Sequence, residues 1–194
     1  MQKCTNFNPA AAGFFMRIIF CFGMVFCSLT FGAQSLLHRW EGTYVGTLEV
    51  YSQDPSPRAQ VPVRLCIKNL KKDSVWQYLM AYGKPDEPGY MEKNYQIIFA
   101  NKRYVLDEGD GILIPMTHFG NCLFDFYTLG HNDEKTYMQS NLCEVDPGSL
   151  SFNLAGGPLT PMTKKEITEE NSEPMTLDTY PLTFYQSVVL KKQP

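Results

Sequence analysis

Two-residue alternation of side-chain character runs through most of this chain, and it restricts the fold more than any other feature. In residues 40–51 one parity holds Trp40, Gly42, Tyr44, Gly46, Leu48 and Val50, and the other holds Glu41, Thr43, Val45, Thr47, Glu49 and Tyr51. Successive side chains of a strand point to opposite faces, so this is a β-strand with one apolar and one mostly polar face. Gly42 and Gly46 fall on the apolar face, where a missing Cβ permits a bend or a close backbone approach. The pattern recurs at 61–68, where Val61, Val63, Leu65 and Ile67 oppose Arg64, Cys66 and Lys68. At 75–82 it places Trp76, Tyr78, Met80 and Tyr82 in one aromatic-rich stripe. Residues 95–99, 104–106, 112–116, 122–129, 135–143, 150–154 and 182–192 read as further strands. Turn-forming clusters separate them, among them Asp54-Pro55-Ser56-Pro57, Asn101-Lys102 and Asp146-Pro147-Gly148.

Residues 155–180 behave differently, being rich in Pro, Thr, Glu and Lys and lacking alternation. They are expected to form a long exposed loop, with a short helix capped by Thr160, started by Pro161 and ending near Glu170. Short strands joined by tight turns must be antiparallel neighbours. A meander of that length stacks as a sandwich or closes into a barrel, and closure removes both exposed edges. The strand that opens at Trp40 and the strand at the C-terminus are well placed to pair. The expected fold is all-β: an antiparallel up-and-down barrel of about 8–10 strands with a short helix before the last one.

Ahead of this domain lies a different kind of segment. Met16-Arg17 is followed by an apolar run from Ile18 to Phe26 and a small-residue exit at Thr30-Phe31-Gly32, the three-part build of a secretory signal peptide. The run is shorter than the about 20 residues of a membrane-crossing helix. The compact Met16-Arg17 start suggests initiation at Met16 rather than Met1. Residues 1–33 are thus expected to be a leader and residues 34–194 a single exported barrel, periplasmic or extracellular, with no transmembrane segment after processing.

The chain holds 17 basic and 20 acidic residues, a formal net charge of −3. Two of its cations, Lys3 and Arg17, leave with the leader. No basic cluster exceeds a Lys pair, which argues against nucleic acid and against docking on anionic lipid. Of the six cysteines, Cys4, Cys21 and Cys27 precede the cleavage point; Cys66, Cys122 and Cys143 remain. Cys122 and Cys143 are equidistant from a turn centred on Asn132-Asp133, so symmetric pairing sets them opposite each other. Opposed Cβ atoms lie about 4.5–5.5 Å apart, near the about 3.5–4.5 Å of a disulfide. Cys122–Cys143 is therefore the expected bridge, with Cys66 free; a shifted register would instead pair Cys66 with one of the others.

With its leader, its Trp-bearing opening Trp40-Glu41-Gly42-Thr43-Tyr44, its meander and a helix-bearing segment before the closing strand, the chain resembles the lipocalin-like (calycin) β-barrels. The resemblance is architectural and covers nearly all of residues 34–194. Such a barrel can hold one small apolar or amphipathic ligand among its inward-facing side chains. The expected lining is Trp40, Tyr44, Leu48, Trp76, Tyr78, Phe124 and Phe126; the competing expectation is that these residues simply fill a solid core. In that case the domain is a protein-interaction module working through its loops.

Signals of catalysis are thin. Asp107-Glu108-Gly109-Asp110-Gly111 clusters three acids, but it is too short for a calcium loop and reads as a hairpin turn. Of the three histidines, only His118 invites attention, as an acid/base of a calycin-type enzyme with Asp125 or Asp110 beside it. No G-x-S-x-G nucleophile elbow is present, and neither a metal nor a cofactor is implied. The leader carries its own test: N-terminal sequencing of the exported protein is expected to begin just after Gly32 or Ala33. Soluble exported material that retains residues 16–33 would overturn the assignment.

Overall fold

The alternating parities become two faces of one continuous sheet, wrapped so that the apolar face is inside. The computed structural model describes residues 36–131, 134–168 and 173–194; the expected leader, residues 1–33, lies outside them. A single helical turn, α1 (Leu36–Arg39), leads into β1 (Gly42–Tyr51), β2 (Ala59–Lys71), β3 (Val75–Tyr82), β4 (Met91–Ala100), β5 (Arg103–Gly109), β6 (Ile112–Phe119), β7 (Cys122–His131), β8 (Glu134–Asp146) and β9 (Ser149–Pro158). Then come β10 (Thr163–Ile167), β11 (Met175–Thr179) and β12 (Phe184–Lys192). Strands β1 to β9 pair in sequence, and β12 pairs with both β9 and β1, closing a ten-strand antiparallel barrel.

Turn chemistry sets the register. Asn101 and Lys102 both adopt positive φ, 52° and 62°, as do Asp110 and Gly111, 52° and 82°. Two consecutive left-handed residues make the hairpin turn whose twist matches its strands. Beside the second turn Asp107 accepts a hydrogen bond from the Gly109 amide at 2.9 Å, so the acidic cluster at 107–111 is a hairpin connection.

One expected element is replaced. Residues 163–167 are β10, paired with β11 through contacts such as Lys165 opposite Leu177, in a separate two-stranded sheet. Thr160-Pro161 is a sound helix start, but no apolar stripe follows it to bury, and a short helix without one is not stable. β-Branched Thr163, Ile167, Thr176 and Thr179 favour the extended pairing instead. Residues 155–158 belong to β9, so the segment 155–180 is a strand end and a hairpin rather than a long loop. The only helix among the described residues is α1, before the first strand rather than the last.

That helical turn stoppers one end of the barrel. Leu36, Leu37, Trp40 and Trp76 are buried together there, and both indoles are fully enclosed. The turns β2–β3, β4–β5, β6–β7 and β8–β9 gather around it. Arg39 bonds Glu144 at 3.0 Å, His38 bonds Glu41 at 2.9 Å and also Asp73, and the Trp76 indole donates to Glu41 at 3.3 Å. The Asp73 carboxylate raises the His38 pKa; partial burial opposes the rise and Glu41 adds to it.

The seam between β1 and β12 depends on Gly46. A Cβ at that position would stand 2.6 Å from the Val189 carbonyl oxygen and 2.7 Å from Val188 Cγ2. Any side chain would push the two closing strands apart.

Cys122 and Cys143 are directly opposed, with Cα atoms 4.0 Å apart, and form a disulfide. The adjoining Glu144 amide donates to the Asn121 carbonyl at 2.9 Å. Cys122 and Cys143 therefore occupy the alternate, closely spaced kind of position in the ladder. The register runs unshifted from His131–Glu134 to this pair, and Cys66 is free and half-buried. Non-reducing peptide mapping is expected to recover one Cys122–Cys143 cross-link and a singly alkylated Cys66. Reduction should lower stability by about 2–4 kcal/mol. A cross-linked Cys66 would contradict the register.

Candidate functional site

Packing inside the barrel changes along its axis. At the α1 end, the inward side chains of Trp40, Tyr44, Trp76, Ile97, Leu123, Leu150 and Leu190 leave no gap and are essentially inaccessible. At the other end, beneath the β3–β4 and β5–β6 connections, a cavity of about 70 Å³ opens to solvent. Its walls alternate in chemistry. Met80, Leu106, Met116, Leu142, Phe152 and Leu154 are apolar; Tyr78, Tyr82, Tyr95 and Tyr127 present rings and hydroxyls; Asp125, Ser140, Lys93 and Glu108 are polar or charged.

Asp125 is the unusual member. It lies on the inward parity of β7 between Leu123 and Tyr127 and is only 6% exposed. Directly across the ladder, the Ser140 hydroxyl donates to its Oδ2 at 2.6 Å. Its other oxygen, Oδ1, is buried with no partner. Loss of hydration raises the carboxyl pKa above the ordinary value, and hydrogen bonds from Ser140 only partly offset it. The surrounding phenols respond to the same dry setting. Burial pushes Tyr82 and Tyr127 up to about 12, with neighbouring tyrosines contributing for Tyr82 and the Asp125 charge for Tyr127. Burial also raises Tyr78 well above the ordinary phenol value, so all the phenols remain neutral and polar at physiological pH.

The structure distributes the seven expected lining residues unevenly. Tyr78 lines the cavity. Trp40, Tyr44, Leu48 and Trp76 point inward but are packed at the filled end and in the wall, and border none of the open space. Phe124 and Phe126 do not face the interior. They occupy the outward parity of β7, and Phe126 is 60% exposed. Inward are Leu123, Asp125 and Tyr127. Because β7 is apolar on both faces, hydrophobicity could not choose between the parities, and the single acid pointed the wrong way. The signal that could have identified the site is that same acid: one Asp inside the apolar run Phe124-Asp125-Phe126-Tyr127, opposite a Ser at symmetric spacing.

His118 takes no part. Its Nε2–H donates to the Gly120 carbonyl at 2.8 Å, and its ring meets Tyr104 edge-on. Asp125 is engaged by Ser140 instead, and Asp110 belongs to a turn at the other end of β6. Among the described residues no three His, Cys, Asp or Glu side chains are grouped to hold a metal ion, and no helix is long and apolar enough to cross a membrane. The chain matches no protein-family model and no curated protein.

Asp125 has a measurable cost. Below the ordinary carboxyl pKa it is neutral in both folded and unfolded chains and costs nothing by ionisation. As pH rises toward its elevated folded value, the unfolded chain ionises more readily, and the fold loses stability until both states are charged. Asp125→Asn removes that loss while keeping an acceptor for Ser140. Urea unfolding is expected to show the variant about 1–3 kcal/mol more stable at pH 7, with the difference vanishing near pH 3. Equal stability at both pH values would mean that the carboxyl is not desolvated.

Proposed function

We propose that this chain is an exported, lipocalin-like barrel that binds a small amphipathic ligand in its open half. The observation that carries this reading is the buried carboxyl oxygen left unpartnered in the wall of an otherwise apolar and aromatic cavity. Buried polar groups are nearly always satisfied, and of the four unpartnered ones among the described residues only that of Asp125 belongs to a residue lining the cavity. An apolar cleft with a few convergent polar groups is the usual form of a small-molecule site. The cavity is much smaller than the roughly 300–1,000 Å³ of a drug-sized pocket, so the occupant is small, or only its head enters. A paired disulfide suits an oxidising compartment, in keeping with export.

A second reading rests on the outer wall. Phe119 and Phe124 lie 6.0 Å apart, Phe126 stacks on Tyr137 at 6.3 Å, and Tyr180 meets Tyr137 at 6.4 Å. This solvent-facing aromatic row favours a protein-interaction module. A calycin-type enzyme has less support, since His118, its expected acid/base, bonds the Gly120 carbonyl rather than a hydroxyl or thiol.

Native mass spectrometry of protein purified from its own host separates the two. Under the binding reading, a small molecule accompanies the folded barrel, is released on unfolding, and is absent from a Leu154→Trp variant that fills the cavity. A barrel that carries nothing and gives no saturable response to small amphiphiles overturns it. A co-purifying protein lost on Phe126→Ser would establish the interaction module.

A further inference from the structure

We propose that the open half of the barrel is a site for a small organic ammonium ion, its charge held by Asp125 Oδ1 and its flanks enclosed by the rings of Tyr78, Tyr82, Tyr95 and Tyr127. The inference rests on the ligand-binding reading and specifies the ligand's chemistry. Asp125 lines the cavity, and its Oδ1 is a buried acceptor with no donor inside the protein. The one cationic side chain in the wall, Lys93, is exposed on β4 and makes no ion pair with Asp125. A second acid, Glu108, lines the same cavity, so its formal charges leave it one negative unit in excess.

The tyrosines supply the second half of the argument. A ring face is electronegative and attracts a cation within about 6 Å, most strongly where water is excluded. Four tyrosines from β3, β4 and β7 converge here, and burial keeps those of Tyr78, Tyr82 and Tyr127 protonated. An array of neutral aromatic rings next to one carboxylate selects for positive charge spread over carbon. Met80, Leu106, Leu142 and Phe152 accept the attached methyl groups or chain. A carboxylate ligand such as a fatty acid would bring a second negative charge against a desolvated one. A cavity of about 70 Å³ has room for several waters or a compact ammonium head, but not for a long chain.

Calorimetric titration of the full protein with choline, phenethylammonium, 3,3-dimethylbutan-1-ol and laurate tests this, because the butanol is the uncharged carbon isostere of choline. Choline and phenethylammonium are expected to bind at least about ten-fold tighter than the isostere, consistent with a cation over several desolvated rings and one charged hydrogen bond. Asp125→Asn should lose about ten-fold for the two cations and leave the isostere unchanged. Its unfolding midpoint at pH 7 should lie above that of the parent, so lost binding does not arise from misfolding. Tyr127→Phe should keep cation affinity and Tyr127→Leu should lower it. Equal binding of choline and its isostere, or tighter binding of laurate, overturns the ammonium assignment and leaves the binding reading standing. No saturable binding by any of the four overturns both.

Discussion

Everything in this molecule depends on the pairing of its first and last strands. Nine strands in sequence would leave two long exposed edges; β12 removes both by lying between β9 and β1. Closure also fixes which parity of each strand is inside, since a one-residue slip anywhere would turn that strand's apolar set outward. The seam is tight because Gly46 has no side chain to hold Val189 away. Lys192, at the end of β12, places its ammonium 5.8 Å from the centre of the Tyr44 ring. Its amide bonds the Gly148 carbonyl at 2.9 Å, tying the chain terminus to the β8–β9 turn.

Given that closure, the two ends of the lumen do different work. The α1 end contains the two tryptophans, the smaller apolar residues that fit between them, and a rim of ion pairs joining α1 to β8 and to the β2–β3 turn. The Cys122–Cys143 bridge lies on the outer face at this same end. Stability is therefore concentrated where the chain is densest. The opposite end gives up packing: its inward positions include four tyrosines and a buried carboxylic acid, Asp125, among the apolar side chains. An apolar residue at 125 would make a more stable barrel, and burial of Asp125 without a full set of partners lowers stability to no structural benefit. Such a local loss is commonly the signature of a functional position.

The architecture was largely legible because alternation and turn residues point to the same result. Residues 40–51 and 75–82 declare their inner faces outright, and Asn101-Lys102 marks its own hairpin. The symmetric distance of Cys122 and Cys143 from one turn is enough to pair them. Legibility failed where two rules competed or where neither applied. Thr160-Pro161 carries a genuine helix start, yet nothing after it would pack as a helix, and strand pairing prevailed. The four residues of α1 are too few to show a period. In β7 both parities are apolar, so Phe124 and Phe126 were as plausible inside as Leu123 and Tyr127.

The site itself was the least legible part, for a physical reason. Its residues come from strands β3 to β9, and their grouping is a product of barrel closure and stagger rather than of any local spacing. Tyr95 and Tyr127 are unremarkable in their own segments, and Ser140 has meaning only opposite Asp125. The aromatic stripe of β3 was visible, but it divides along the axis: Trp76 belongs to the filled end and Tyr78 to the open one. A periodic pattern identifies the face that a side chain occupies but not its height in the barrel. Height decides here whether an inward aromatic residue fills the core or borders the open cavity.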